Sequence, residues 1–163
     1  MTKTLWAPWR MEYILSKKPE ECIFCLGKDR KEDKERLVLY RSSLSFVIMN
    51  RYPYNNGHIM IAPLEHSADV ENIDPETAQD MFQVLQKSLQ ILKKCLRPEG
   101  FNVGLNLGKV AGAGVEEHLH IHVVPRWNGD TNFMPVLGDV RVMPEHLEDS
   151  YDKLYPSFAA LKD

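Results

Sequence analysis

Apolar and polar residues alternate most strictly in one segment of the chain, residues 117–127. Leucine, isoleucine and valine occupy positions 119, 121 and 123, and each is directly preceded by a histidine, at His118, His120 and His122. A period of two is that of a β-strand, whose successive side chains point to opposite faces. The pattern therefore predicts a strand with three imidazoles on one face, about 6.5–7 Å apart along the strand.

Four other segments have the composition of β-strands, being rich in β-branched and aromatic residues and bounded by turn residues. They are residues 37–41, 44–49, 58–63 and 101–107. A loop rich in asparagine, with proline and glycine, precedes the third of them.

One long helix is predicted to begin at Asp74, an N-cap residue followed by proline, and to end before Pro98. Its predicted apolar stripe consists of Ala78, Met81, Phe82, Leu85, Leu89, Leu92 and Leu96. A weaker helical stripe, interrupted by Pro156, is predicted in residues 144–163.

These elements predict an α+β fold, in which a five-stranded antiparallel sheet carries one long helix and a C-terminal helical tail. The helix should cover one sheet face, and the histidines should lie on the other. A chain of 163 residues suits one core. We predict a single domain with an N-terminal arm (1–21), a core (22–133) and a C-terminal extension (134–163).

Composition restricts the partners of the protein. The formal net charge is -3, which gives no support for nucleic-acid binding, so any phosphate site must be local. No apolar run approaches the roughly 20 residues of a membrane span, and the amino end lacks the apolar region of a signal peptide. We therefore expect a cytoplasmic protein that does not bind a membrane.

The three alternating histidines could be a coincidental set of surface or core residues, bind a metal or act as catalysts. The first is disfavoured, because unpaired polar rings that face a core cost free energy. A metal centre made of all three fits poorly, because the outer two would be roughly 13 Å apart along a strand and zinc–nitrogen bonds are only about 2.0–2.1 Å long. A neutral imidazole, in contrast, can attack phosphorus near pH 7. We take His120 as the nucleophile, with its neighbours managing protons and charge.

Attack on a phosphoanhydride also requires hydrogen-bond donors where negative charge develops. Backbone N–H groups of the glycine-rich turn before the histidines can supply them. Side-chain donors can come from an asparagine and from the protonated forms of two histidines. The predicted groups are Gly112, Ala113, Gly114, Asn106, His58 and His122.

Cys22 and Cys25 have the spacing of half a zinc site. A redox pair and an incidental pair are the alternatives. If metal binds, two more ligands must come from distant segments, and His66 and His118 are the candidates. A closed site with two cysteines and two histidines would be structural.

Residues 118–124 match the signature of the histidine triad family, in which three histidines alternate with apolar residues, at every position. The likeness extends over residues 22–133, about two thirds of the chain. Residues 50–58 and 125–133 resemble, more loosely, a microbial branch that includes diadenosine tetraphosphate phosphorylases and hydrolases.

The resemblance implies a homodimer whose sheets join across the interface, and a nucleotide whose α-phosphate lies over the triad. It implies a nucleotidyl intermediate on His120, resolved by water or by phosphate. The residues near base and ribose would be Phe46, Asn50, Tyr52 and Pro53. The ligands of a structural zinc ion would be Cys22, Cys25, His66 and His118.

This sequence departs from the family in two places. Many members carry aspartate where Asn50 stands, so the ribose would meet a neutral partner here. Many also carry Gln-Ser or Gln-Thr shortly before the triad, where this chain has Ala113-Gly114-Val115. A hydroxyl contact to the leaving group is therefore absent unless the backbone supplies it.

The leading hypothesis is an enzyme that cleaves a dinucleoside polyphosphate such as diadenosine tetraphosphate, by hydrolysis or phosphorolysis. One alternative is a zinc-stabilised nucleotide-binding module that acts through protein contacts. Another is a nucleoside phosphoramidate hydrolase.

Overall fold

The computed structural model describes residues 22–132 and 142–161, so the predicted arm and the boundary at 133–134 lie outside the described residues. In these ranges the strands are β1 (Val38–Arg41), β2 (Ser45–Met49), β3 (Ile59–Pro63), β4 (Gly100–Leu105) and β5 (Ile121–Arg126), and the α-helices are α1 (Pro75–Leu96) and α2 (Leu147–Ala159). The strands form one sheet in the order β1-β2-β3-β5-β4, and every pairing is antiparallel. The predicted α+β fold is confirmed.

The two faces of the sheet are covered by different parts of the chain. On one face, Ile61 and Val123 pack in a cluster with buried side chains of α1 and α2. On the opposite face, Met60 packs in a second cluster that contains Phe24. The β3–β5 register pairs Met60 with His122, so His122 lies on the face away from the helices, as predicted.

The prediction that one strand carries all three alternating histidines is wrong. β5 begins at Ile121, so His118 and His120 precede the sheet and only His122 lies within it. Alternation of apolar and polar residues therefore identified the strand but placed its start too early.

The β3–β5 ladder ends here because the next backbone groups are bonded elsewhere. The N–H of Leu119 donates to the carbonyl oxygen of Ser67 over 2.7 Å. The carbonyl oxygen of Pro63 accepts from Nε2 of His118 over 2.8 Å. The chain consequently turns out of the sheet just before β5.

The predicted start of α1 is confirmed by its cap. The side chain of Asp74 accepts from the backbone N–H groups of Glu76 (2.9 Å) and Thr77 (3.2 Å), which would otherwise lack partners at the helix start. The helix ends where Arg97 adopts a left-handed conformation, with φ 50°.

The predicted apolar stripe of α1 is wrong at two positions, since Ala78 is exposed and Phe82 is 60% exposed. A helix turns by about 100° per residue, so Phe82 points well away from Met81, which is buried in the core. The buried face of α1 consists of Thr77, Met81, Val84, Leu85, Ser88, Ile91 and Leu92.

Pro156 does not interrupt the tail helix, contrary to prediction, and lies in the last turn of α2. A proline there removes one backbone hydrogen bond. Burial of Leu154 and Phe158 against the core offsets that loss, and the hydroxyl of Tyr151 donates to the backbone of β1 over 3.0 Å. Neither α1 nor α2, within the described ranges, is long and apolar enough to cross a membrane.

Candidate active site and metal centre

The backbone holds His120 in one tautomer. Its Nδ1 lies 2.7 Å from the carbonyl oxygen of His118; a carbonyl can only accept, so Nδ1 carries the hydrogen. Nε2 is then unprotonated and has the lone pair that a nucleophile requires. Burial lowers the pKa of His120, although the bond to the carbonyl opposes this shift. The imidazole is therefore neutral near pH 7.

A chain of hydrogen bonds sets the tautomers of His58 and His122. The backbone N–H of Tyr54 donates to Nδ1 of His58 over 3.0 Å, which leaves the hydrogen of a neutral His58 on Nε2. That Nε2 donates to Nδ1 of His122 over 2.9 Å. The hydrogen of His122 is consequently on its own Nε2, which is buried and has no hydrogen-bond partner within the described part of the chain.

Burial lowers the pKa of His122 to about 4, and repulsion from His120, once that ring is protonated at acid pH, adds to the shift. His122 is therefore neutral near pH 7, so donation as an imidazolium would require a bound anion to raise its pKa. It remains a donor through its Nε2–H. Leaving such a buried donor unpaired costs about 1–3 kcal/mol, so a bound acceptor oxygen would be favoured at this position.

Two aromatic rings pack against the histidines. The Phe24 ring stacks on His120 with centroids 4.7 Å apart, and the Tyr54 ring lies 4.6 Å from His58 and 5.5 Å from His122. His120 and His122 meet edge to face at 4.8 Å. The rings restrict the imidazole planes, so the nitrogen atoms keep fixed directions.

The glycine-rich turn between β4 and β5 contacts Asn106. The Nδ2 of Asn106 donates to the carbonyl oxygen of Gly112 over 3.5 Å. Gly112 has φ 90°, a conformation that requires glycine. Val115 packs on the cluster that contains Phe24, which connects the turn to the histidine-bearing face. The N–H groups of Gly112 and Ala113 donate within the turn, to the carbonyl oxygens of Lys109 (3.0 Å) and Gly108 (3.4 Å). A phosphate would have to displace these bonds, and the predicted contacts of Gly112, Ala113 and Gly114 with phosphate remain predictions.

The residues predicted to contact base and ribose lie in two environments. Phe46, on β2, is fully buried in the second cluster. The other three lie in the loop before β3, where Oδ1 of Asn50 accepts from the N–H of Tyr52 over 2.8 Å. Tyr52 is 49% exposed and Pro53 is half-buried. Their contacts with a nucleotide remain predictions.

Two cysteines and two histidines converge at the predicted metal site. The ligand atoms of Cys22, Cys25, His66 and His118 all lie within 4.8 Å of one another. Sγ of Cys25 is 3.2 Å from Nδ1 of His66, and Sγ of Cys22 is 3.5 Å from Nδ1 of His118. Ligands at tetrahedral zinc would be about 3.5 Å apart, given bonds of about 2.3 Å to sulfur and 2.05 Å to nitrogen. The donor set fits a tetrahedral ion.

Neighbouring groups orient these ligands. Nε2 of His118 donates to the carbonyl oxygen of Pro63, so Nδ1 is the nitrogen left for a metal. The Cys25 N–H donates to the carbonyl of Cys22 over 3.1 Å, and Arg36 donates to the carbonyl of Cys25 over 3.2 Å. The cysteine turn is therefore shaped by hydrogen bonds that do not involve the thiols.

Sequence reasoning missed Phe24 and Tyr54. Phe24 lies between the two cysteines, and its ring also packs against His118, with centroids 5.4 Å apart. The only available signal was an aromatic residue inside the Cys-x-x-Cys motif. Tyr54 contacts the histidines through its ring and through its backbone N–H, and no sequence pattern reveals the N–H contact.

The chain is similar to known proteins in both sequence and structure. A family model described as HIT domain matches residues 31–129. The AP-4-A phosphorylase of Mycobacterium tuberculosis (strain ATCC 25618 / H37Rv) is 38% identical over 154 residues, covering 90% of this chain and 79% of the relative. Adenosine 5'-monophosphoramidase hnt1 of Schizosaccharomyces pombe is 32% identical over 107 residues, covering 66% and 75%.

One similar crystal structure contains zinc. It is a Zn-bound histidine triad family protein from Mycobacterium smegmatis, with a TM-score of 0.61 and 31% identity, covering 76% of this chain and 84% of that protein. The family-model match contains His66 and His118 and begins after Cys22 and Cys25.

Proposed function

Because the chain belongs to the HIT domain family, we propose that it is an enzyme that cleaves a dinucleoside polyphosphate, first of all diadenosine tetraphosphate. His120 Nε2 attacks the α-phosphorus, and the bond from that phosphorus to the bridging oxygen breaks. The single observation that carries this proposal is the Nδ1–H bond of His120 to the His118 carbonyl, which frees Nε2.

The same carbonyl also stabilises the intermediate. When Nε2 bonds to phosphorus, the imidazole of His120 becomes positively charged and its Nδ1–H becomes a stronger donor. The His118 carbonyl already lies in place to accept that bond, so the charge develops without rearrangement. The fixed tautomer thus serves both the attack and the nucleotidyl-histidine that follows.

The Nε2–H of His122, which has no hydrogen-bond partner among the described residues, supplies a donor for phosphate oxygens. It belongs to a residue two positions along the chain from His120, with the two rings 4.8 Å apart. Asn106 and the backbone N–H of Gly114 supply further donors, whereas the N–H groups of Gly112 and Ala113 already donate within the turn. Charge on the departing polyphosphate would be held by these neutral groups.

The proposal also concerns the molecule that attacks the nucleotidyl-histidine and releases the nucleotide. Similarity to an AP-4-A phosphorylase supports inorganic phosphate, which releases ADP and ATP from diadenosine tetraphosphate; water would release AMP and ATP. Similarity to a monophosphoramidase supports a second candidate, hydrolysis of a phosphorus–nitrogen bond by the same attack.

Zinc is the proposed occupant of the site formed by Cys22, Cys25, His66 and His118. A closed set of two thiolates and two imidazoles suits structural zinc and leaves no position for substrate. The ion would hold the cysteine turn against His118, whose carbonyl oxygen accepts from His120. His120 itself is not a ligand.

A homodimer and a cytoplasmic location complete the proposal. β4 is an edge strand of the sheet, with Val103 44% and Leu105 39% exposed, which supports pairing with a second copy. The thiols of Cys22 and Cys25 lie beside imidazoles and are not joined in a disulfide, a state that a reducing compartment maintains.

A product-resolved assay tests the function. Purified protein is incubated with diadenosine tetraphosphate, with and without inorganic phosphate, and with adenosine phosphoramidate in a separate arm. We expect phosphate-dependent formation of ADP and ATP. AMP plus ATP would instead identify a hydrolase, and turnover of the phosphoramidate alone would favour the second candidate.

Failure of all three arms would reject the enzymatic proposal. In that case, binding of AMP measured by calorimetry would support the alternative of a nucleotide-binding module.

A further inference from the structure

The turn that follows β5 contains a carboxylate with several donors, and the proposed chemistry does not use it. Nε and Nη2 of Arg126 donate to the two oxygens of Asp130 over 2.6 and 2.9 Å. The N–H of Trp127 donates to the same carboxylate over 3.0 Å. The Asp130 side chain is only 7% exposed, and these donors hold its pKa well below the usual range. Asp130 is therefore a fixed anion.

Asn55 joins this turn to the loop that precedes β3. Its Nδ2 donates both to Oδ2 of Asp130 (2.8 Å) and to the carbonyl oxygen of Pro125 (3.0 Å), so both amide hydrogens are used. Its Oδ1 accepts from the N–H of Asn56 over 3.0 Å. The side chain is thus engaged on the end of β5, and the loop cannot move independently of that strand.

The residues on either side of this anchor reach the catalytic histidines. The N–H of Tyr54 donates to Nδ1 of His58, and the N–H of His58 donates to the carbonyl of Asn55 over 3.2 Å. His58 in turn donates to His122. A continuous set of contacts therefore connects the Asp130 carboxylate to the Nε2–H of His122.

We infer that Asp130 and Asn55 are positioning residues of the catalytic site. The carboxylate fixes Asn55, Asn55 holds the Tyr54 N–H on His58, and His58 thereby keeps the hydrogen of His122 on Nε2. Neither residue touches the reacting atoms. An effect of these residues on kcat rests on the proposed function, whereas their effect on the tautomer of His58 does not.

A role confined to stability makes a different prediction. If the turn only supported the sheet, its loss would lower Tm and leave the tautomer of His58 and kcat of the folded fraction unchanged. The tautomer and the division between kcat and KM therefore distinguish the two roles.

The test compares Asn55→Ala and Asp130→Leu with two matched variants. Asp130→Asn keeps an acceptor for Asn55 without the charge. Thr131→Ala removes another donor to Asp130, its hydroxyl at 3.0 Å, on the carboxylate oxygen that Asn55 does not contact. Each protein is studied by 15N NMR of the histidine rings and by steady-state kinetics with diadenosine tetraphosphate.

In the wild type we expect an unprotonated Nδ1 and a protonated Nε2 at His58. Asn55→Ala and Asp130→Leu should give mixed tautomers and a kcat lower by about 10–100-fold, the scale of a displacement of about 1 Å in a catalytic group. KM should change by less than about threefold, because the donor acts mainly in the transition state. Asp130→Asn and Thr131→Ala should stay within about threefold of wild-type kcat.

Wild-type tautomer and kcat in both Asn55→Ala and Asp130→Leu would overturn the inference, and so would an equal loss in Thr131→Ala. If Asn55→Ala does not fold, Asn55→Ser is judged by the same two measurements. If the wild type turns over no substrate, the proposed function fails, and the NMR result alone decides the positioning role: altered tautomers support it and unaltered ones reject it.

Discussion

At the scale of single residues, backbone groups decide which nitrogen of each histidine is available. The carbonyl of Pro63 takes Nε2–H of His118 and leaves Nδ1 toward the cysteines. The carbonyl of His118 takes Nδ1–H of His120 and leaves Nε2. Two imidazoles two positions apart thus present opposite nitrogens, one suited to a metal and the other to attack on phosphorus.

Replacing the proposed nucleophile should abolish turnover. His120→Ala removes the only atom that forms the covalent bond in the proposed mechanism, so kcat should fall by at least about a thousandfold. The measurement is the product-resolved assay with diadenosine tetraphosphate. His146→Ala is the matched control, because His146 is exposed at the start of α2 and its side chain does not cap the helix. Full turnover by His120→Ala would contradict the mechanism.

Acid should destabilise the fold through His122. Its pKa is about 4 in the folded state, against an ordinary value of 6.5. Above pH 6.5 it is neutral in both states. As the pH falls toward about 4, the unfolded chain takes up a proton that the folded protein does not, so stability is lost in that window and then levels off.

Between pH 7 and pH 5, the titration of His122 should lower the free energy of unfolding by about 2 kcal/mol. Urea unfolding of wild type and of His122→Gln at both pH values measures it. The wild type should lose more stability than the variant, which lacks this titration. Equal losses would show that His122 does not titrate abnormally.

At the scale of elements, the short turn from Cys22 to Cys25 serves two sites. Its ends carry two of the proposed metal ligands, and its interior carries Phe24, which stacks on His120. The turn is attached to the sheet through Phe24, which packs with Met60 and Phe46. A metal bound by Cys22 and Cys25 would therefore also stabilise the position of Phe24 against His120.

Loss of one metal ligand should be visible in both metal content and stability. The wild type should contain about one equivalent of zinc. Cys22→Ser should lose it and melt at least about 5 °C lower, since structural metal binding contributes directly to folding. Metal analysis and thermal unfolding provide the measurements.

Cys95→Ser is the matched control, because Cys95 contacts the hydroxyl of Ser157 and is not part of the metal cluster. Its zinc content should equal that of the wild type. Zinc-free wild-type protein would reject the metal proposal.

At the scale of the whole molecule, the sheet is covered unequally. β1, at one edge, contacts α2, whereas four of the six residues of β4, at the other edge, are exposed. An uncovered edge strand offers backbone groups to another chain, and proteins commonly protect such edges with lysine or proline. β4 contains neither, which is consistent with an edge that pairs in the assembled protein.

A lysine on this edge should weaken the proposed dimer. Sedimentation velocity should show a dimer for the wild type and a monomer for Val103→Lys at micromolar concentration, because pairing would bring two like charges together at the interface. Phe82→Lys is the control, since Phe82 is an exposed apolar residue on α1 rather than on the edge. A monomeric wild type would contradict the prediction.

The local features of the fold could be predicted from the sequence because their causes lie within a few residues. Asp74 followed by proline determines the start of α1, and alternating apolar residues identify the strands. The start of β5 could not be predicted, because it depends on Ser67 and Pro63, more than fifty positions away from their partners. The exposure of Phe82 depends on how α1 is rotated against the sheet.

The sequence by itself determined the chemical types at the site: a run of alternating histidines, a pair of cysteines with metal-ligand spacing, and a glycine-rich turn before the run. Only the tertiary structure decided what those groups can do. It separated His118 from the strand and joined it to Cys22, 96 positions away, and it oriented His58 and His122 through the backbone of Tyr54. The physical reason is that a tautomer or a coordination geometry depends on the atoms around an imidazole, and folding brings those atoms from distant parts of the chain.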